Sequence, residues 1–107
     1  MTMASNTIRA RASVQGGTAN VKTLISHPME TGQRTDSSTG EKIPAHYIEE
    51  VTVTHNGNQV LVAQMGSAVS KNPYLSFRFD GASSGDTISI SWNDNKGESD
   101  SMETSIG

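Results

Sequence analysis

The stretch His46–Met65 reads HYIEEVTVTHNGNQVLVAQM and decides the fold, because it holds the clearest turn in the chain between two strand-like runs. Asn56 and Gly57 accept the two positive φ angles of a type I′ turn, whose twist matches that of the strands it joins. The run His46–Thr54 enters this turn, and Gln59–Met65, rich in valine and leucine, leaves it. The sequence therefore predicts a β-hairpin here.

Alternation in the entering strand predicts which of its side chains share a face. Tyr47, Val51 and Val53 fall on one face, which Glu49 interrupts. Ile48 is predicted to point the other way.

Five further runs have the two-residue period that is typical of half-buried strands. The clearest is Asp86–Asn93, in which Ile88, Ile90 and Trp92 are predicted to point inward and alternate with small polar residues. Glu98–Ile106 is polar, which predicts an edge strand. The other three runs are Thr7–Gln15, Asn20–Ser26 and Tyr74–Phe79.

Seven short strands separated by Gly, Asn and Asp turns predict an all-β fold, an antiparallel immunoglobulin-like β-sandwich. At 107 residues the chain is expected to form one domain, 1–107, in which residues 1–6 are a flexible N-terminus. The absence of cysteine excludes disulfides, thiol nucleophiles and thiolate metal sites on this chain.

The charge and hydropathy of the chain predict two absences among its partners. A net charge of −3 predicts that there is no basic face to neutralise phosphates, so we expect no nucleic acid as a ligand. No apolar run approaches the roughly 20 residues that span a bilayer, so we expect no membrane partner.

Strand parity predicts that most of the unusual side chains meet at one end of the sandwich. In an antiparallel fold, alternate connections lie at the same end, and ordered long loops are commonly functional. We therefore expect the functional surface at what we call the elaborated end. It consists of the connections His27–Ala45, Gly66–Pro73 and Asn93–Gly97, whereas the plain turns Gly16–Ala19, His55–Asn58 and Asp80–Gly85 lie at the other end.

The candidate chemical groups at this end favour binding over catalysis. His27, His46 and His55 have no metal-ligand spacing, so no metal, cofactor or catalytic residue is predicted. His27 and Glu30 could form a dyad, although a local hydrogen bond is commoner for a loop histidine. Met29 is expected to be an exposed, adaptable apolar contact. The alternative function is a small metal-dependent or hydrolytic enzyme centred on His27, Glu30 and His46, and a third is a carbohydrate-binding or adhesion module.

Four stretches together resemble the SoxZ family, the small subunit of the SoxYZ carrier in bacterial sulfur oxidation. They are LISHPMETGQR at Leu24–Arg34, IPAHYIEEVTV at Ile43–Val53, VSKNPYLSFRF at Val69–Phe79 and WNDNKGESD at Trp92–Asp100.

The resemblance implies a non-enzymatic scaffold subunit with an immunoglobulin-like fold. SoxZ-like chains pair with SoxY, whose glycine-rich C-terminal arm ends near a cysteine that carries sulfur intermediates between Sox enzymes. A chain without cysteine agrees with the subunit that does not hold the cargo. The segment Met1–Asn6 has no basic or apolar signal region, which agrees with a periplasmic protein exported in complex with a signal-bearing SoxY.

The expected partners are therefore SoxY, with transient contacts to other Sox enzymes, and self-association is expected of the isolated chain. The polar run Glu98–Ile106 is a rival docking surface through edge pairing. The candidate partner contacts at the elaborated end are His27, Met29, Glu30, Arg34, Asn72 and Tyr74.

Overall fold

The computed structural model describes residues 7–66, 69 and 71–107, and these form two antiparallel sheets without a helix. One sheet has the strand order β1-β2-β5 and the other β4-β3-β6-β7. The prediction for residues 1–6 lies outside the described residues. The strands are β1 Ile8–Gln15, β2 Thr18–Ile25, β3 Ile48–His55, β4 Asn58–Gln64, β5 Tyr74–Asp80, β6 Thr87–Asp94 and β7 Ser99–Ser105.

The predicted β-sandwich is confirmed, and each strand boundary lies within two residues of its predicted position. Asn56 and Gly57 have φ angles of 48° and 86°, as a type I′ turn requires, and the turn joins the paired residues His55 and Asn58. The run expected to form an edge strand is β7, at one edge of the four-stranded sheet.

The core lies between the two sheets and consists of the inward positions of alternating strands. Ile88, Ile90 and Trp92 of β6 are buried, as their alternation predicts. Val21 and Ile25 of the central strand β2 face them and are inaccessible to solvent. The core residues are Ile8, Ala12, Ala19, Val21, Ile25, Met29, Ile48, Val51, Val53, Ala82, Ile88, Ile90, Trp92, Met102 and Ile106.

The predicted orientation of Ile48 is wrong, because a bulge interrupts β3. The pairing of β3 with β6 shifts register between Ile48 and Glu50, so simple alternation does not continue through Glu49. Ile48, Val51 and Val53 are consequently all fully buried, and Glu49 is exposed.

The two side edges of the sandwich differ in how far they are closed. At the β1/β7 edge, the N–H of Gly107 donates to the carbonyl of Ala12 at 3.0 Å, and the N–H of Val14 donates to the carbonyl of Gly107 at 3.1 Å. Asp100 of β7 also accepts from the hydroxyl of Thr7 at 2.5 Å. At the opposite edge, β4 and β5 are not paired with each other in the part of the chain that the structure describes. No helix that could cross a membrane is found in the described residues.

The outer face of the three-stranded sheet contradicts the expectation that the chain has no basic face. Alternation directs the exposed side chains of Arg9, Arg11, Lys22 and Arg78 to this one side, which we call the basic face. The expectation that nucleic acid is not a ligand stays a prediction, without the charge argument that supported it.

The hairpin turn supplies a test of how strongly local backbone geometry supports the fold. In Gly57→Ala the new methyl group would meet no atom within 4 Å, so only the positive φ angle opposes it. We expect the free energy of unfolding to fall by about 1–2 kcal/mol, measured by urea denaturation. Gly66→Ala is the matched control, because its site is equally open and its φ angle is not positive. Equal losses in the two variants would contradict the turn assignment.

Candidate functional site

The three connections of the elaborated end are joined by hydrogen bonds, as strand parity predicts. The N–H of His27 donates to Oδ1 of Asn72 at 3.0 Å, and the N–H of Asn72 donates to the carbonyl of His27 at 3.0 Å. This reciprocal pair of hydrogen bonds holds the segment that follows β2 against the segment that precedes β5. Asn72 adopts a φ of 53°, a left-handed conformation that asparagine tolerates better than most residues.

Asn95 joins the last of these connections to the exit of the long loop. The N–H of Tyr47 donates to Oδ1 of Asn95 at 2.8 Å, and Nδ2 of Asn95 donates to the carbonyl of Ala45 at 2.9 Å. The N–H of Asn95 also donates to the carbonyl of Tyr47 at 3.0 Å. The elaborated end is therefore one hydrogen-bonded unit.

Asp94 is the centre of this unit and lies at the end of β6, with a side chain fully hidden from solvent. Its Oδ2 lies 3.0 Å from Nε2 of His27 and 2.7 Å from Nε2 of His46. Its Oδ1 accepts from the N–H groups of Lys96 and Glu98, at 3.0 and 2.8 Å. Four donors thus surround the carboxylate, as a buried charge requires.

The environment of Asp94 favours its ionised form. Burial by itself raises the pKa of the Asp94 carboxyl, because it removes water from the charge. The hydrogen bonds from His27, His46 and the two backbone N–H groups outweigh that effect and lower the pKa to about 2. The carboxylate is therefore negatively charged throughout the physiological range.

His27 has a defined proton arrangement that follows from its neighbour Met29. The N–H of Met29 donates to Nδ1 of His27 at 3.1 Å, so the proton of the neutral ring is on Nε2, which donates to Asp94. Met29 adopts an uncommon φ of 49°, and its sulfur accepts from the N–H of Ile48 at 3.3 Å. His27 and Met29 are 4% and 5% exposed, so the expectation that Met29 is exposed is wrong.

His46 completes the cluster at the rim of the site. Its ring packs edge-on to that of His27, with centroids 4.5 Å apart, and His27 packs in turn on Trp92 at 5.2 Å. Nε2 of His46 also lies 3.2 Å from Oε2 of Glu98. His46 is thus half-buried between two carboxylates.

His27, His46 and Asp94 are also a set of donors that could in principle hold a metal ion, with ligand atoms within 4.8 Å of one another. A histidine binds a metal through a nitrogen lone pair. While the N–H of Met29 donates to Nδ1, the proton of the neutral His27 ring is on Nε2, so Nε2 has no free lone pair for a metal. The internal hydrogen bonds therefore oppose metal binding.

The carboxylate of Glu30 pairs with Arg34 and not with His27, so the suggested His27–Glu30 dyad is wrong. The Glu30 carboxylate accepts from Arg34 at 2.5 and 3.2 Å. The hydrogen bond from Arg34 has the largest effect and lowers the pKa of Glu30; burial, the next largest, opposes it, and the positive charges of Arg34 and Lys71 lower the pKa further. The carboxylate partner of His27 is Asp94.

The long connection is folded back on itself rather than extended. The backbones of Glu30 and His46 pair at its base, and those of Thr35 and Lys42 pair farther out. Gly32 packs closely on Ala45 with a φ of 85°; a methyl group on Gly32 would approach the Ala45 methyl to 3.2 Å.

The accessible candidates among the predicted partner contacts are Glu30, Arg34, Asn72 and Tyr74; the side chain of Arg34 is 66% exposed, and Tyr74 is 58% exposed. They border two adjoining cavities that share Lys71. One is a cleft of about 400 Å³ that contains three charged side chains, and it is lined by Pro28, Met29, Glu30, Thr31, Arg34 and Lys71. The other is a mostly apolar groove of about 540 Å³ between β4 and β5, lined by Ala63, Gln64, Met65, Val69, Lys71, Asn72, Pro73, Tyr74 and Leu75.

Sequence reasoning missed the central role of Asp94 and the participation of Glu98. Strand parity placed Asp94 at the elaborated end, but no spacing rule links it to His27, which lies 67 residues earlier. The available signal was chemical, since a single aspartate at the end of a buried strand needs partners.

Removal of the Asp94 charge tests whether this network holds the elaborated end together. In Asp94→Asn the amide NH₂ group faces the Nε2–H of His27, so two donors meet. The His27 ring cannot change its tautomer without losing the hydrogen bond that the N–H of Met29 donates to Nδ1. We expect the free energy of unfolding to fall by about 3 kcal/mol at pH 7, measured by denaturant titration. Asp80→Asn, an exposed aspartate bonded to Thr18, is the control and should change it by less than about 0.5 kcal/mol.

The pH dependence of the same pair of proteins is a second test. The pKa of Asp94 is about 2 in the folded state and about 3.9 in the unfolded state. The stabilisation is therefore fully present above about pH 5 and is lost as the pH falls towards 2. The stability difference between the unmodified chain and Asp94→Asn should shrink over that range. A difference that is constant from pH 6 to about pH 2 would contradict a buried ionised Asp94.

Comparison with known proteins assigns the family. The protein-family model for "Sulphur oxidation protein SoxZ" matches residues 8–105, which run from the first residue of β1 to the last residue of β7. A search of curated proteins found no match. Since almost the whole chain is matched, it belongs to the SoxZ family and is a component of the Sox system of sulfur oxidation.

Proposed function

We propose that the chain is a non-catalytic scaffold subunit that pairs with SoxY and helps to present SoxY's cysteine-bound sulfur intermediates to the enzymes of periplasmic thiosulfate and sulfur oxidation. Membership of the SoxZ family supports this function. The absence of cysteine agrees with it, since the chain cannot hold sulfur cargo as a thiol adduct.

The observation that carries the proposal is the internal use of the chemical groups at the elaborated end. His27 and Asp94 are buried, and their polar atoms bind each other, His46 or the backbone. A nucleophile or general base needs a free reactive atom within reach of a substrate. These groups instead make a rigid support for the loops above them.

The surface around this support suits a protein partner. The groove lies between β4 and β5, which are the outer strands of the two sheets, and it contains apolar side chains such as Met65 and Leu75. Polar groups of the adjoining cleft, Glu30 and Arg34, lie at its side. An apolar centre with a polar rim is the usual arrangement of a protein interface. We therefore infer that SoxY docks over the groove and the elaborated end.

The polar strand β7 is a weaker candidate for this docking. At its edge of the sandwich, β7 lies next to β1, and Gly107, which follows β7, forms backbone hydrogen bonds with β1. Among the described residues, no strand pairing joins β4 to β5 at the other edge. We also propose a periplasmic location, reached in complex with a signal-bearing SoxY.

Alanine variants of exposed residues test the docking surface. Arg34→Ala and Tyr74→Ala remove exposed side chains that are not part of the hydrophobic core, so both variants should fold. We expect each to weaken SoxY binding about tenfold, measured by calorimetry, and to lower thiosulfate-dependent turnover of the reconstituted Sox enzymes. Gln59→Ala, exposed near the opposite end, should bind normally. Unchanged affinity in both test variants would place the interface elsewhere.

Metal titration separates this function from the alternative enzyme centred on His27, Glu30 and His46. The chain should show no stoichiometric zinc uptake that depends on His27, because Met29 donates to Nδ1 of that ring. Equilibrium dialysis of the intact chain and of His27→Gln would measure it. One zinc per chain, lost in the variant and accompanied by hydrolytic activity, would favour the enzyme.

A further inference from the structure

The basic face brings four exposed cations together on one side of the three-stranded sheet. It holds Arg9, Arg11, Lys22 and Arg78, four of the eight basic residues of a chain whose net charge is −3. None of the four takes part in a salt bridge among the described residues. The face is therefore positively charged in a protein that is acidic as a whole.

The arrangement of these cations works against the stability of the sheet. Arg11 of β1 lies directly opposite Lys22 of β2 in the strand register. Like charges directly opposite each other in a sheet are destabilising. Arg78 of β5 is paired with Asn20, which is two residues from Lys22 on β2. Arg78 and Lys22 are therefore diagonal neighbours, closer together than a Debye length of about 8–10 Å. A partner that supplies negative charge would relieve this repulsion.

Two apolar side chains lie at one end of the same face. Leu24 is paired with Arg9 on one side and with Tyr74 on the other. Leu24 is 40% exposed and Tyr74 is 58% exposed. A shallow cavity of about 190 Å³ is lined by Arg9, Ala10, Arg11, Lys22, Leu24 and Tyr74. The cations thus adjoin a place where one apolar side chain could be covered.

We propose that the basic face docks an extended acidic segment of a partner protein, with carboxylates on alternate residues and an apolar side chain against Leu24 and Tyr74. Arg9 and Arg11 are two residues apart on one strand, so their side chains emerge about 6.7 Å apart. Alternate residues of an extended peptide have the same spacing. Each carboxylate would then meet a guanidinium, with Lys22 flanking the second.

The negative charge of the remaining surface favours binding of a short acidic segment over binding of a long polyanion. Apart from Asp80 at the end of β5, the acidic residues lie outside the basic face, where four basic residues stand against ten acidic ones. Among the described residues, the outer face of the other sheet bears Glu50 and Glu103 and no basic residue. A nucleic acid or an anionic membrane would extend past the basic face and be repelled there.

This inference goes beyond the pairing with SoxY proposed above and is tested at different residues. The probe is a short fluorescein-labelled peptide, SESESLSES, whose binding to the intact chain is followed by fluorescence anisotropy. Binding should weaken as NaCl is raised. The double variant Arg11→Gln/Lys22→Gln should weaken it about five- to tenfold. The Tm of this variant should rise by about 2 °C, because neutralisation removes the repulsion between opposite strands.

The control is Lys42→Gln/Lys96→Gln, which makes the same change in net charge at exposed positions outside the basic face. Its affinity for the peptide should stay within about twofold of the unmodified chain. Two control peptides, SQSQSLSQS without carboxylates and SESESSSES without leucine, should both bind more weakly. Equal losses in the two double variants, equal binding of the glutamine peptide, or tighter binding to oligo-dT or to phosphatidylglycerol vesicles would overturn the proposal.

Discussion

The buried carboxylate of Asp94 is the constraint around which the elaborated end is arranged. A buried carboxylate that is shielded from water requires several hydrogen-bond donors. None of these donors belongs to β6, the strand that carries Asp94. The donors come from His27 after β2, from His46 before β3 and from the turn that follows β6. Each loop must therefore take the position that directs its donor towards the same two oxygens.

The fold was predictable because its signals are local. Strand parity also predicted which connections meet at the elaborated end, but not the side-chain contacts within it. Alternation in β6 and the Asn56–Gly57 turn act over a few residues, and both appear where the sequence predicts them. The inward turn of Ile48 depends on a bulge that shifts strand pairing, which no alternation rule contains. The burial of Met29 depends on its contacts with His27 and Ile48.

The basic face was hidden from the sequence for a different reason. Its cations come from β1, β2 and β5, and only the strand order brings β5 next to β2. Net charge is a sum over the chain and says nothing about its distribution between faces. The same sheet order that makes the core thus separates positive charge on one side from the acidic remainder of the molecule.

The long sequence separation of the contacts at the elaborated end has a consequence for folding. His27 is 67 residues from Asp94 and 45 from Asn72, whereas the hairpin of β3 and β4 closes across two residues. Contacts between distant segments require loop closure, which costs chain entropy before any contact is made. We therefore expect the hairpin to form early in folding and the network around Asp94 to close only after the two sheets have docked. The proposed surface for partners would then be the last part of the domain to be completed, and a partner would meet it only on a chain that has already folded.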